Sequence, residues 1–376
     1  MKPLCLIPWV NINISPRGEI RPCCKYKVDK SLLMNIEENT IEDYVNSDFL
    51  NNIKDTMLKN DWPEGCIRCK SEEEYKIKSK RQLDYARWKT EFDNYTEDKG
   101  FLISDIAFGN TCNLKCIICG PSSSSRWRKE YHEIYGDDIK PVEVTNITAE
   151  NLYKIMPNAI HHAFGGGEPL LSEIEKHHKL LQLYIDNGKS KNITLHYYTN
   201  AQQFPSTNLW DMWQHFKEVE LQLSIDGIYE KYEYVRFPGK YDKLESVVSQ
   251  LVAKERKHDN IVLSVSHTVS AYNIYYLDDF FNWCAQVGLP KPWCGAVDTP
   301  SHMRHDLYPK KIRDVIVTKL RKTKHIDVLR WSKLISEQDS SKYFPDFLIY
   351  KDQHDLYRGT NFAKTFPELE ELINGI

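Results

Sequence analysis

Leu102-Ile103-Ser104-Asp105-Ile106-Ala107-Phe108 runs directly into Gly109-Asn110-Thr111-Cys112-Asn113-Leu114-Lys115-Cys116-Ile117-Ile118-Cys119-Gly120. The first seven residues predict a buried β-strand. The segment after them sets three cysteines at C-x3-C-x2-C spacing in one loop at the strand's carboxyl end. Thiolates grouped this closely hold metal or do redox chemistry. A [4Fe–4S] cluster normally takes four thiolates. Three leave one iron open to an exogenous ligand, which is the logic of a catalytic metal site.

Working outward, five more short apolar runs follow, at 159–164, 193–198, 219–225, 261–269 and, more weakly, 293–297. Helical patterns around 122–135, 171–187, 207–217, 241–257 and 275–287 separate them. Strands alternating with helices predict βαβ units and a parallel sheet, open or closed into a partial barrel. Such sheets place their chemistry beyond the carboxyl ends of the strands. Upstream, 9–23 predicts a β-hairpin and 40–58 a helix. Cys66 and Cys69 open a long charged helix to about Phe92, whose Lys76, Lys78, Lys80 and Arg81 form a solvated face balanced by Glu72, Glu73 and Glu74. Beyond Pro300 the chain is helical and basic. The expected division is 1–98 for a cysteine-rich domain with its linking helix, 99–300 for the sheet domain and 301–376 for a helical extension.

The chain has 376 residues, with Lys+Arg 50 against Asp+Glu 53 and a formal net charge of -3. That balance argues against a general nucleic-acid or anionic-membrane binder. No run of about 18 apolar residues exists to cross a membrane. The amino end carries no export signal, so the expected compartment is the cytoplasm. Ten cysteines in such a chain are a poor disulfide scaffold, and eight of them precede residue 120.

Phe164-Gly165-Gly166-Gly167-Glu168-Pro169 ends the second predicted strand. Residues without side chains let the backbone approach a ligand, and Glu168 can accept from an ammonium group. With the cysteine triple, this stretch resembles the radical S-adenosylmethionine (radical SAM) superfamily. Tyr198-Thr199-Asn200, Leu223-Ser224-Ile225-Asp226-Gly227, Arg236 and Thr268-Val269-Ser270 fall at strand ends in that superfamily's order. The resemblance covers about residues 100–297 and implies a partial (β/α)6 barrel. It assigns Cys112, Cys116 and Cys119 to a SAM-binding [4Fe–4S] cluster and Gly166, Gly167 and Glu168 to the methionine amino group. Asn200, Ser224 and Arg236 complete the implied SAM contacts, with Ser224 and Arg236 on the carboxylate. Ile118 departs from the pattern, since the residue before the third cysteine is often aromatic.

Cys5, Gly18 and Cys23 are spaced C-x12-G-x4-C, and Cys66-x2-Cys69 follows. This resembles the twitch, or half-SPASM, domain that carries one auxiliary [4Fe–4S] cluster, here ahead of the barrel instead of behind it. Asp355-Leu356-Tyr357-Arg358-Gly359 and Phe366-Pro367-Glu368-Leu369 are similar to the subgroup with an amino-terminal twitch domain. Cys5, Cys23, Cys66 and Cys69 are the implied ligands, with Cys24 as the alternative to Cys23. Four thiolates with a C-x2-C pair also suit zinc.

The resemblance implies reductive cleavage of SAM to a 5′-deoxyadenosyl radical, two [4Fe–4S] clusters and a flavodoxin- or ferredoxin-type electron donor. Twitch and SPASM relatives mostly modify peptides or proteins, by crosslinking, epimerisation or side-chain oxidation. A ribosomal-peptide maturase is therefore expected, and a nucleic-acid- or small-molecule-modifying enzyme is the second class. A non-catalytic iron–sulfur or zinc scaffold is the third. Cys294, in Trp293-Cys294-Gly295, is placed at the carboxyl end of the sixth strand, either as a small core residue or as a hydrogen-atom donor to a substrate radical.

Overall fold

Ile12 and Ile14 alternate with polar neighbours, and Ser15-Pro16-Arg17-Gly18 turns the chain back on itself. In the computed structural model this gives strands β1 (Asn11–Ile14) and β2 (Glu19–Arg21), paired antiparallel. Gly18 sits at φ +77°, where any Cβ would come within 2.6 Å of the Asn35 side chain. The structure describes residues 4–74, 76, 78–137, 147–172 and 174–375. The chain divides into two units. The first is Met1–Thr111, Lys140–Tyr198 and Pro205–Glu220, and the second Cys112–Ile139, Thr199–Phe204 and Leu221–Ile376.

In the first unit β3 (Met34–Asn35) follows the hairpin, and then come β4 (Ile103–Ala107), β5 (His161–Gly165) and β6 (Thr194–Thr199). Their order is β3-β2-β1-β4-β5-β6. The parallel pairing of β1 with β4, from Asn11 opposite Ile103 to Ile14 opposite Ile106, extends the sheet with the amino-terminal hairpin. Nothing in the local sequence announces that pairing. Alternation along β5 gives its two faces different jobs. His162 and Phe164 pack among Tyr184, His177 and Tyr197, while His161 and Ala163 face the other way. His177 and Trp213 both hydrogen-bond to the buried Tyr197 hydroxyl, at 2.8 and 3.0 Å.

Two predicted helices are broken. Thr40 and Asp43 form a capping box for Ile41–Val45, and Ser47 then caps a separate helix, Asp48–Leu58. The long charged helix from Cys66 is instead a short turn at Glu64–Cys66 followed by Ile67–Glu74, Lys80–Arg87 and Lys89–Asp93. Lys76 at φ +59° and the Ser79–Gln82 capping box interrupt it. Helices Ala149–Ile155 and Tyr229–Val235, each seven residues, are too short to show a clear period in the sequence.

The second unit holds most of β7 (Glu218–Ser224), together with β8 (Ile261–Val269) and β9 (Trp293–Ala296), ordered β7-β8-β9. β8 and β9 are parallel. Helices Lys310–Leu320, Ile326–Glu337, Phe344–Arg358 and Pro367–Asn374 form the carboxy-terminal part. The basic stretch within it is largely paired: Lys310 with Asp314, Lys319 with Asp279, and buried Arg313 with Asp339. No helix among the described residues is long and apolar enough to cross a membrane.

Phe347 is fully buried between Tyr272, Tyr308 and Phe362, and it anchors the helix that ends at Arg358. Phe347→Ala should destabilise the protein by about 3–5 kcal/mol. A denaturant melt with an unchanged midpoint would remove this anchor from the core.

Candidate functional site

The cysteine loop of the second unit has no regular structure, so its backbone is held by partners outside the loop, both main chain and side chain. Lys115 and Ile117 donate through their N–H groups to the carbonyls of Phe237 and Val235 at 2.7 and 2.8 Å. The Leu114 carbonyl accepts from Ser124, and the Cys116 carbonyl from the Trp127 indole at 3.0 Å. The carboxy-terminal helix supplies the rest: Arg358 Nη2 reaches the Lys115 carbonyl at 2.9 Å, and the Tyr350 hydroxyl reaches the Ile117 carbonyl at 3.1 Å. Asn200, just past β6, donates to Asn113 Oδ1 at 2.7 Å. Burial pushes the Cys116 thiol up to about 12 and Cys119 up to about 11. Taking up metal as thiolates therefore releases protons.

Beyond β7, Ser224 is half-buried at the strand's last position. Arg236 is buried, with Nε and Nη2 2.8 and 2.6 Å from Asp226 Oδ2. Asp226 also accepts from the Thr268 N–H at 2.7 Å. The sequence shows Asp226 only as part of a strand-end motif, and its pairing with Arg236 is a tertiary fact. Cys294 is the second residue of the four in β9, opposite His267, and not at the strand's carboxyl end as expected. Trp293 beside it is exposed, and Cys294 is half-buried. Burial pushes the Cys294 thiol up to about 12 and keeps it protonated.

In the first unit, Gly166 and Gly167 both adopt positive φ, +77° and +54°. A Cβ on Gly167 would lie 2.2 Å from the Thr111 carbonyl, so the Gly-Gly turn lies against the residues that enter the cysteine loop. The Glu168 N–H donates to that same carbonyl at 2.8 Å. Its side chain is fully buried, and Oε1 accepts from the Leu170 N–H.

Cys5, Cys23, Cys66 and Cys69 line one cavity, together with Pro8, Tyr26, Trp62 and Arg81 among others. Three separate segments thus deliver the expected set. Cys24 lies outside it, exposed, and hydrogen-bonds to Asp105 on β4. Lys80 and Arg81 also line the cavity and are paired with Asp84 and Glu73, which corrects their reading as a solvated face. Burial pushes the Cys5 and Cys66 thiols up to about 12 and raises Cys23 as well. Among the described residues no three of these thiols approach within 4.8 Å of one another. A zinc tetrahedron with Zn–S of about 2.3 Å would bring its sulfurs to about 3.8 Å.

Residues 106–268 match the family model of the radical SAM superfamily, and residues 5–70 match that of an iron–sulfur cluster-binding domain of SPASM type. The chain thus carries a radical SAM domain and a SPASM-type domain, as those models define them. These two domains are carriers of [4Fe–4S] clusters and of SAM. No curated protein matches the chain. Among solved structures, native anSMEcpe with bound AdoMet is 18% identical over 59% of this chain and 58% of its own, with a TM-score of 0.39. Streptococcus suis SuiB bound to S-adenosylmethionine is 12% identical over 90% and 70%, with a TM-score of 0.38. SuiB bound to its precursor peptide SuiA is 13% identical over 90% and 71%, also at 0.38. The chain thus spans a little over half the length of anSMEcpe.

Glu130 ties the cysteine loop to the carboxy-terminal helix. Burial opposes its charge, but the His354 hydrogen bond, the Arg358 charge and the Lys115 hydrogen bond prevail and hold its carboxyl at about 2. A carboxyl lowered on folding stabilises fully above its ordinary value of 4.5 and loses that contribution as pH falls towards about 2. Wild type and Glu130→Gln should therefore differ most in melting temperature above pH 5 and converge in acid. A constant difference across that range would deny the anchor its charge.

Proposed function

We propose that the chain is a radical SAM enzyme that modifies a peptide or protein, with a second cluster in its amino-terminal domain. The observation that carries this is the three-cysteine loop directly after β4, joined by a separate set of four cysteines around one cavity. Cys112, Cys116 and Cys119 would hold the SAM-binding cluster, and Cys5, Cys23, Cys66 and Cys69 the auxiliary one. When bound, the first cluster and SAM supply one-electron cleavage of a sulfonium C–S bond, giving methionine and a 5′-deoxyadenosyl radical that abstracts a substrate hydrogen.

The chain's own groups bind and orient. Glu168 is assigned to the methionine ammonium, its carboxylate already fixed by a backbone N–H. Arg236 engages Asp226 through Nε and Nη2, which leaves Nη1 for the methionine carboxylate with Ser224 beside it in the assignment. Asn200 braces the cysteine loop through Asn113. Peptides or proteins are the favoured substrates because half-SPASM relatives mostly act on them. A flavodoxin- or ferredoxin-type protein in the cytoplasm would supply the electron.

Anaerobically reconstituted protein should hold about eight irons per chain. Replacing Cys112, Cys116 and Cys119 with Ala should remove about half of that iron and all SAM cleavage. Cys23→Ser should lose auxiliary iron and Cys24→Ser should keep it. Zinc in place of the second half of the iron would refute the auxiliary cluster.

SAM binding gives a second test. Glu168→Ala and Arg236→Ala should each weaken it about tenfold to a hundredfold with iron unchanged, the loss of one charge-assisted hydrogen bond. Equal affinity in both variants and wild type would reject the assignment. Cys294, as a protonated thiol, is the proposed hydrogen donor if the reaction inverts a stereocentre. Cys294→Ala would then cleave SAM yet give no inverted product, and full product would return Cys294 to a packing role.

A further inference from the structure

His161 opens β5, His196 is the third residue of β6 and Glu220 the third of β7. All three belong to the first unit and lie outside both cysteine sets. One ligand atom from each lies within 4.8 Å of the other two. His161 is 5% exposed, and neither of its ring nitrogens has a hydrogen-bond partner. A neutral imidazole carries one N–H and one lone pair, and both are normally satisfied when buried. His196 Nδ1 is 3.1 Å from Glu220 Oε2. The other oxygen of Glu220 accepts from Arg87 Nη2 at 2.6 Å, which fixes the plane of the carboxylate. The Trp88 ring, 5.3 Å from that of His161, closes one side.

We infer that His161, His196 and Glu220 form a mononuclear site for a divalent metal ion of the zinc class. Two imidazoles and one carboxylate are a known zinc donor set, and three protein ligands leave a fourth position for water or a substrate group. Imidazole donors select against magnesium and calcium, which prefer oxygen alone. A purely structural His–Glu pair would need only His196 and Glu220. His161, buried with both nitrogens unused, has no part in such a pair, whereas a metal takes its lone pair directly. Arg87 acts one layer out, as the hydrogen-bonded partners of ligating carboxylates do.

The test uses the full chain with its clusters loaded and zinc chloride as the only probe. After gel filtration, zinc and iron are counted by mass spectrometry, and melting is followed with and without zinc. Wild type should retain about one zinc per chain beyond its iron and melt higher with zinc present. His161→Ala and His196→Ala should bind zinc at least about tenfold more weakly with iron unchanged. Glu220→Gln keeps the side chain's shape, so it should melt like metal-free wild type and lose the zinc-induced rise. Failure of wild type to retain zinc, or equal retention in all three variants, overturns the site. Zinc lost only from Cys66→Ser would place the ion among the auxiliary cysteines and overturn it equally.

Discussion

The Glu130 carboxylate is fully buried, and the second unit is organised around it. Lys115 Nζ at 2.6 Å, His354 Nδ1 at 2.6 Å and Arg358 Nε at 2.7 Å converge on its two oxygens. The partners come from two distant parts of the chain. Lys115 is inside the cysteine loop, and His354 and Arg358 are on the last long helix, more than two hundred residues later. Removing one partner of such a buried cluster costs about 3–5 kcal/mol, because the remaining charge is stranded. A loop without regular secondary structure has little cohesion of its own. The ion cluster supplies it from outside, with the Arg358 guanidinium also stacked 4.8 Å over Trp127.

This explains which features could be read from the sequence and which could not. The strands β4 to β9 and the loops at their carboxyl ends follow from local apolar runs and punctuation, and the structure places each within a residue or two of expectation. The cysteine triple and the Gly-Gly-Glu turn were legible because each is a single continuous segment. The ion cluster was not, since nothing local marks Glu130 as the partner of a histidine and an arginine at the far end of the chain. The pairing of Asp226 with Arg236 was hidden for the same reason at shorter range. The charged stretch after Cys69 misled because composition resembles a solvated helix, yet Lys76 takes a left-handed conformation and Ser79 starts a new cap. Its Lys80 and Arg81 turn towards the auxiliary cysteines.

The two cysteine sets are built by opposite strategies. Cys112, Cys116 and Cys119 need only one loop, and the protein's effort goes into bracing it. Cys5, Cys23, Cys66 and Cys69 come from the segment ahead of a short helix at Ile7–Val10, the turn after β2 and the start of another helix, so the fold itself must assemble them. Ile7, Trp9, Val10 and Met57 form the apolar cluster that Cys5, Cys23 and Cys66 pack against. Of the adjacent pair, Cys23 lines the cavity and Cys24 lies outside it. Cys24 is committed to Asp105.

The direction of the strands then divides the chemistry along the chain. Gly166 to Glu168, Asn200 and Ser224 all stand at or beyond the carboxyl ends of β5, β6 and β7, where parallel strands offer loops free to shape a ligand site. His161, His196 and Glu220 stand at or near the starts of the same three strands. Five residues from His161 to Gly166, or four from Glu220 to Ser224, amount to about 13–17 Å of extended chain. His161 and Gly166 thus stand at opposite ends of β5. A buried imidazole left unsatisfied needs its own physical reason, and a bound cation is one that takes up the lone pair of His161.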